Sequence, residues 1–101
     1  MSDAPAFLVI TSTPNPDKME ELQSYLKQIM PVLMSGGGKP VGRYRVTEQV
    51  AGHGGPKTIA IMEYPSAQAI RDLISGDGFN ALNALRAEVF LSLDLMISEA
   101  I

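Results

Sequence analysis

The sequence predicts an α+β domain in which a four-stranded antiparallel sheet carries helices on one face. Two observations support this. Four short segments are rich in β-branched, aromatic and other apolar residues, and apolar residues recur at helical spacing after the first and the third of them. The resulting order is β-α-β-β-α-β, which is the ferredoxin-like plan. A chain of 101 residues has the size of one such unit, so we expect residues 1–101 to form a single domain.

The first half of the chain predicts a strand followed by a long helix. The strand covers Phe7 to Thr11, Asn15 is a suitable N-cap, and Pro16 fits the first helical position. The apolar residues of the helix are Leu22, Leu26, Ile29 and Leu33. Three glycines at 36–38 then precede Lys39. A phosphate-binding glycine loop leads from a strand into a helix, whereas this stretch leaves a helix, so we interpret it as a C-terminal cap and turn.

The second half predicts two strands, a broken helix and a last strand. In order, these are a strand at Lys39 to Val50, a strand at Lys57 to Tyr64, a short helix capped by Ser66, a break at residues 75–78, a helical piece from Phe79 to about Ala87, and a strand at Val89 to Ile97. Residues 51–56 are too long for a tight two-residue hairpin and predict an open loop.

The predicted strands are apolar on both faces, although a sheet covered on one side should alternate apolar and polar residues. The third strand places Ile59 and Ile61 opposite to Ala60, Met62 and Tyr64, and the fourth places Leu91, Leu93, Leu95 and Ile97 opposite to Phe90 and Met96. A monomer would leave a large apolar surface in water. We therefore expect a homodimer formed through the sheet face.

Composition excludes several classes of function. The net charge is −3, and the single local basic pair, Arg43 and Arg45, is too small for a nucleic-acid surface. There is no cysteine and one histidine, so no metal-ligand spacing exists and we expect neither a metal nor another cofactor. No apolar stretch is long enough for a membrane span or a secretion signal. A cysteine-free chain of this kind fits a cytoplasmic location.

Several motifs resemble a known family. They are Met30-Pro31-Val32-Leu33-Met34 before the three glycines, Ile61-Met62-Glu63-Tyr64-Pro65-Ser66 with Ala69, and Phe79 with Arg86 seven residues later. Over about residues 6 to 99 the chain resembles a family of domains of unknown function, DUF1330, in the dimeric α/β-barrel superfamily. The resemblance implies a ferredoxin-like protomer and a face-to-face dimer. It also implies no single activity, since the superfamily includes cofactor-free monooxygenases, lactone isomerases and proteins without a known reaction.

Arg86 is the most informative candidate site residue, because helical spacing places it within an apolar stripe that includes Phe79. A buried guanidinium cannot lose its charge and needs acceptors. Three interpretations remain open at this stage. Arg86 could pair with a carboxylate, for which the candidates are Glu63, Glu48 and Asp94; it could lie at the base of a pocket and bind an anionic or phenolic ligand; or it could be exposed at a helix end.

Other polar residues are weaker candidates. Glu63 or Glu48 could act as a general base, and Tyr44 or Tyr64 could hydrogen-bond a ligand, although tyrosines on a sheet usually contribute to packing. His53 lies between glycines in a loop and is expected to be solvated. The candidate ligand-binding set is therefore Arg86, Phe79, Glu63, Tyr44 and Tyr64, and the candidate catalytic residues are Arg86, Glu63 and Tyr44.

Two functions are compatible with this pattern. The chain could bind a small apolar or acidic ligand or have a structural role, or it could be a cofactor-independent enzyme, similar to a monooxygenase or an isomerase, that acts on a small aromatic or anionic substrate between helices and sheet. Clustered polar residues are sparse, which favours the first of these.

Overall fold

The computed structural model describes residues 4–101 and contains one sheet with helices on one face. Its elements are β1 (Ala6–Pro14), a 3-10 turn (Pro16–Lys18), α1 (Met19–Ser35), β2 (Lys39–Arg45), β3 (Thr58–Tyr64), α2 (Ala67–Ile74), α3 (Asp77–Asn80), α4 (Asn83–Val89) and β4 (Phe90–Ser98). The strand order is β2-β3-β1-β4, and all neighbours are antiparallel. The predicted ferredoxin-like plan is thus confirmed.

The predicted cap at Asn15 is present, but it opens the 3-10 turn Pro16–Lys18, and α1 itself begins at Met19 without a side-chain cap. The Asn15 side chain accepts a hydrogen bond from the backbone N–H of Asp17, and Pro16 opens the first turn, where no N–H is needed. The buried face of α1 then follows the helical repeat and consists of Leu22, Tyr25, Ile29 and Leu33. This stripe packs on the side of the sheet that carries Ala6 and Leu8 of β1, both fully buried.

The three glycines end α1 as a turn, which confirms the interpretation made from the sequence. Gly36 occupies the C-cap, and Gly37 adopts a φ of 87°, in the left-handed region that glycine tolerates best. Gly38 lies against the ring of Tyr64, where an added Cβ would come within 2.7 Å of Cζ. The Tyr64 hydroxyl donates a 2.7 Å hydrogen bond to the carbonyl of Leu33, so β3 fixes the end of α1.

The second helical region is divided into three short helices. Ser66 caps α2 by accepting a hydrogen bond from the N–H of Ala69, as predicted. The predicted helical piece from Phe79 to about Ala87 is instead split, since α3 ends at Asn80 and α4 begins at Asn83. Arg86 and Phe79 therefore belong to different helices, although both are buried.

Two strand predictions need correction. The second strand ends at Arg45, because residues 46–50 leave the pairing with β3 and begin the loop that continues to Lys57. Phe90 lies on the helix side of the sheet with Leu93 and Leu95, since a bulge between Thr13 and Pro14 shifts the register of β4 against β1. The sequence alternation had placed Phe90 on the other face with Met96.

Residues 4–101 form two layers, and the shortest dimension, measured over the Cα atoms, is 17 Å. One face of the sheet is covered by the helices. The other face carries Val9 and Ile61, which are cross-strand partners, and the neighbouring Met96, which is 45% exposed. Within residues 4–101, no helix has the length and apolar character required to cross a membrane.

Candidate functional site

A groove of about 790 Å³ lies between α1 and the sheet. Its walls are mostly apolar, and this volume is typical of small-molecule sites. The side chains that define it come from α1, the sheet and the short helices; they include Leu22, Tyr25, Leu26, Ile29, Met30, Ile10, Ala60, Met62, Phe79, Phe90, Leu93 and Leu95. The groove therefore lies between the helix layer and the sheet, where the two layers are not in direct contact.

The edge strand β2 adds positive charge to the groove. Arg43 and Arg45 line it, and they pair across the sheet with Ala60 and Thr58, which lie on the helix-facing side. Both arginines are exposed, and within residues 4–101 neither forms an ion pair with a carboxylate. The groove therefore has an apolar interior beside two cations, in a chain whose net charge is −3.

Arg86 lies behind the groove wall and is held by neutral groups. Its Nε donates a 2.9 Å hydrogen bond to the Tyr25 hydroxyl, one terminal nitrogen donates to Asn83 Oδ1, and the other donates a 2.8 Å bond to the carbonyl of Phe79. The guanidinium also stacks on the Phe79 ring, with Cζ 3.7 Å from the ring centroid. These contacts use all three nitrogens of a side chain that is 9% exposed.

Of the three interpretations of Arg86, the one in which it pairs with Glu63, Glu48 or Asp94 is wrong. Glu63 pairs with Phe7 in the β1–β3 ladder, and Asp94 pairs with Thr11 in the β1–β4 ladder, so both project from the face away from the helices. Glu48 is exposed and follows the end of β2. Within residues 4–101 the ion pair that forms is between Lys18 and Glu88, on the surface, with 3.1 Å between Nζ and Oε2.

Tyr25 connects Arg86 to the groove, because it lines the groove and accepts a hydrogen bond from Arg86. Both Tyr25 and Phe79 line the groove, whereas Arg86 does not. The Tyr25 ring meets Phe90 edge to face, with 5.6 Å between the ring centroids. Burial raises the pKa of Tyr25, and the hydrogen bond and charge of Arg86 oppose that rise. The hydroxyl is therefore protonated near neutral pH and polarised by its cationic neighbour.

The structure places the predicted site residues in different parts of the fold. Phe79 lines the groove and Arg86 supports it from behind. Glu63 lies on the opposite face of the sheet, since its cross-strand partner is Phe7. The cross-strand partner of Tyr44 is Ile59, on that same face, but Tyr44 is on the edge strand and is also among the residues that line the groove. Tyr64 is 1% exposed, and its hydroxyl donates a hydrogen bond to the carbonyl of Leu33 at the end of α1.

Tyr25 was not predicted as a site residue, although its spacing could have indicated it. It stands three residues after Leu22 and four before Ile29, which places it on the apolar stripe of α1. A tyrosine hydroxyl inside such a stripe needs a partner, and a buried arginine needs acceptors. Those two requirements together could have suggested the Tyr25–Arg86 pair.

Metal-ligating side chains do not cluster in the described part of the chain: residues 4–101 hold no group of three or more His, Cys, Asp or Glu positioned to share an ion. His53 lies exposed in the loop after β2. The groove is lined by tyrosine, serine, threonine, glutamine and arginine as its polar residues, so hydrogen bonding and charge are the chemistry it offers.

The fold and the groove define the chain as a ferredoxin-like α+β protein with a space between helices and sheet. Solved structures of the same fold include a protein of unknown function from Rhodopseudomonas palustris, with a TM-score of 0.81, 19% identity, and coverage of 98% of this chain and 84% of that one. Another is an EthD family protein from Bacillus halodurans, with a TM-score of 0.70, 17% identity, and coverage of 96% and 99%. A candidate antibiotic biosynthesis monooxygenase from Bacteroides thetaiotaomicron has a TM-score of 0.65, 18% identity, and coverage of 97% and 89%.

The chain belongs to the family described as a domain of unknown function, DUF1330, whose profile matches residues 5–101. The family resemblance seen in the sequence is thereby confirmed. No curated protein matches the chain in sequence. The similarities to solved structures establish the fold, and no reaction is demonstrated for the family.

Proposed function

We propose that the chain binds a small, largely apolar carboxylic acid in the groove between α1 and the sheet. The observation that carries this proposal is the combination of an apolar groove of about 790 Å³ with Arg43 and Arg45 on its edge strand. An aromatic or aliphatic body would replace water in the groove, and each Å² of apolar surface so buried contributes roughly 25 cal/mol. The guanidinium groups can hold a carboxylate by paired hydrogen bonds.

Binding is favoured over acid–base catalysis by the residues that line the groove. No aspartate, glutamate or histidine is among the described lining residues, and these are the usual general bases. Glu63, the base considered in the enzymatic alternative, is on the other face of the sheet. A cofactor-independent enzyme remains the second interpretation, and the polarised Tyr25 hydroxyl is the feature that favours it.

The binding proposal can be tested with 4-benzylbenzoate and its neutral analogue 4-benzylbenzamide. We expect isothermal titration calorimetry to show that the acid binds more tightly to the wild-type protein. The double variant Arg43→Gln, Arg45→Gln should weaken binding of the acid about tenfold, since charged hydrogen bonds at a partly exposed site contribute about 1.5 kcal/mol. It should leave binding of the amide nearly unchanged.

Two further variants locate the site. Arg71→Gln is the matched control, because Arg71 is an exposed arginine on α2 whose side chain contacts Gln68 and does not line the groove. Ala60→Phe places a ring in the groove and should abolish binding of both compounds. Equal affinity of the double variant and the wild type for the acid would show that Arg43 and Arg45 do not bind the carboxylate. Unchanged binding to Ala60→Phe would place the ligand elsewhere.

We also propose that a second copy of the chain covers the sheet face opposite to the helices. Support comes from the side chains on that face, several of which are apolar and incompletely buried in the protomer; they are Phe7, Val9, Tyr44, Ile59, Ile61 and Met96. Tyr44 is 53% exposed. Aromatic residues and methionine are enriched in such interfaces, and a symmetric dimer would bury the same patch on both copies.

A further inference from the structure

The Tyr25 hydroxyl can accept and donate hydrogen bonds, and within residues 4–101 it only accepts one. It accepts the hydrogen bond from Arg86 Nε at 2.9 Å. Among residues 4–101, no group accepts a hydrogen bond from its own proton, although the side chain is only 6% exposed. A buried hydroxyl ordinarily donates as well as accepts. Tyr25 also lines the groove, so a bound molecule is a natural source of the missing acceptor.

Arg86 is placed to act through Tyr25 and not on the ligand directly. Its three nitrogens are engaged by Tyr25, Asn83 and the carbonyl of Phe79, and its plane lies over the Phe79 ring. Movement of the guanidinium into the groove would break all of these contacts in the protein interior. Arg86 is therefore a positioning residue, which fixes the Tyr25 hydroxyl and draws electron density from its oxygen.

We propose that the Tyr25 hydroxyl donates a hydrogen bond to a carbonyl oxygen of the bound molecule. This inference rests on the proposed function and narrows its ligand class to apolar carboxylic acids that also carry a ketone. The carboxylate lies at Arg43 and Arg45, and the ketone oxygen lies within the apolar part of the groove. An oxygen buried there without a donor would lose its water and gain nothing in return. Tyr25 supplies the donor, and Phe79 and Phe90 beside it supply apolar contact.

Protonation of Tyr25 supports the same role. Burial raises its pKa above the ordinary value for tyrosine, so the hydroxyl keeps its proton at neutral pH even with a cation beside it. Arg86 at the same time makes that proton more acidic than burial alone would leave it. A neutral hydroxyl polarised in this way donates strongly without carrying charge into an apolar groove.

The experiment compares ligands that differ only at the carbonyl group. The 2-, 3- and 4-benzoylbenzoates carry a ketone where the corresponding benzylbenzoates carry a methylene group, so each pair has nearly the same shape and charge. For at least one positional isomer, we expect the wild-type protein to bind the ketone about three to ten times more tightly, which is the effect of one hydrogen bond. In Tyr25→Phe, the ketone should bind no more tightly than the methylene compound.

Tyr64→Phe is the matched control, because it removes the other buried tyrosine hydroxyl, which bonds to Leu33 and does not line the groove. It should retain the preference for the ketone. The ¹³C resonance of the carbonyl carbon in the bound ketone gives a second measurement that needs no variant: in the wild-type complex it should move downfield of its position in an aprotic solvent.

The possible failures are distinct. If neither member of any pair binds the wild-type protein, the proposed function is wrong. If the methylene compounds bind but no ketone is preferred, the groove binds apolar acids and the proposal for Tyr25 is overturned. A preference that survives in Tyr25→Phe overturns it equally, because another donor must then meet the carbonyl.

Discussion

Arg86 is buried, and among residues 4–101 its hydrogen-bond partners are neutral groups and not carboxylates. A buried cation of this kind is stable only if its N–H groups meet acceptors and its flat faces meet polarisable groups. Tyr25, Asn83 and the Phe79 carbonyl supply the acceptors, and the Phe79 ring supplies the face. The same contacts connect α1, α3 and α4, so this single side chain joins three helices beside the groove.

Tyr64 has a different role from Tyr25, and its ionisation provides a test. Burial raises the pKa of Tyr64 to about 12 from an ordinary value of 10. Since the unfolded chain ionises first, the stabilisation from the neutral hydroxyl is complete below about pH 10 and is lost as the pH rises towards about 12. We expect Tyr64→Phe to reduce the free energy of unfolding by about 1 kcal/mol at neutral pH, through loss of the bond to Leu33.

The measurement is urea unfolding of both proteins, monitored by circular dichroism from neutral pH to about pH 12. The difference in stability between wild type and Tyr64→Phe should shrink over the upper two pH units, because only the wild type loses this contribution there. A difference that stays constant across that range would show that Tyr64 does not ionise differently in the folded and unfolded chains.

At the level of single residues, the sequence predicts which side chains are buried better than it predicts their hydrogen-bond and ion-pair partners. Arg86 is buried beside Phe79, as the sequence predicts, although the two residues lie on different helices and the continuous helical spacing assumed between them is interrupted. The sequence could not predict the acceptors, because those depend on how α4 packs against α1 and on where the second helical region breaks. Glu63 was a reasonable partner by charge, but its face of the sheet became clear only from the register of β1 and β3.

At the level of elements, the turn after α1 depends on which of its three glycines has a close neighbour. Gly36 has ordinary space around it, since an added Cβ would lie 3.6 Å from Tyr64 and Leu73, and its φ is −89°. Gly38 has no such space, because a Cβ would lie 2.6 Å from the Leu33 carbonyl oxygen and 2.7 Å from Tyr64 Cζ. We therefore expect the same substitution to have opposite effects at these two turn positions, which are two residues apart.

We expect Gly38→Ala to lower the free energy of unfolding by about 1–3 kcal/mol, since the ring and the carbonyl must shift together. Gly36→Ala should be neutral or stabilise by up to about 1 kcal/mol, through reduced freedom of the unfolded chain. Thermal and urea unfolding of the two variants give the comparison, and each serves as the control for the other. Equal effects of the two substitutions would contradict the described packing of Gly38 against Tyr64.

The elements themselves were largely predictable, because local patterns determine them. The caps at Asn15 and Ser66 and the glycine turn all follow from short-range chemistry. The face of Phe90 was not predictable, since the bulge at Thr13 and Pro14 belongs to a strand far away in sequence. The groove was likewise visible only once α1 was placed above the sheet.

At the scale of the whole molecule, the sheet separates two surfaces with different side chains. The helix side carries Arg43 and Arg45 of β2 beside the groove, and the other side carries apolar residues with few charges between them. A two-layer protein with an uncovered apolar sheet lacks the third layer that would exclude water from that face. The proposed second copy would provide such a layer and would leave the helix side of each sheet, with its groove, accessible.

We therefore expect the protein to have about twice the 10.9 kDa mass of the chain in multi-angle light scattering at micromolar concentration. Ile61→Glu should convert it to the monomer, because Ile61 pairs with Val9 near the middle of the uncovered face and a carboxylate there would lose its water. Met34→Glu is the matched control, since Met34 is a 50% exposed apolar residue at the end of α1, outside that face. It should leave the mass unchanged. A wild-type mass of 10.9 kDa would rule out the dimer, and a dimer that persists in Ile61→Glu with native circular dichroism would place the interface on another surface of the chain.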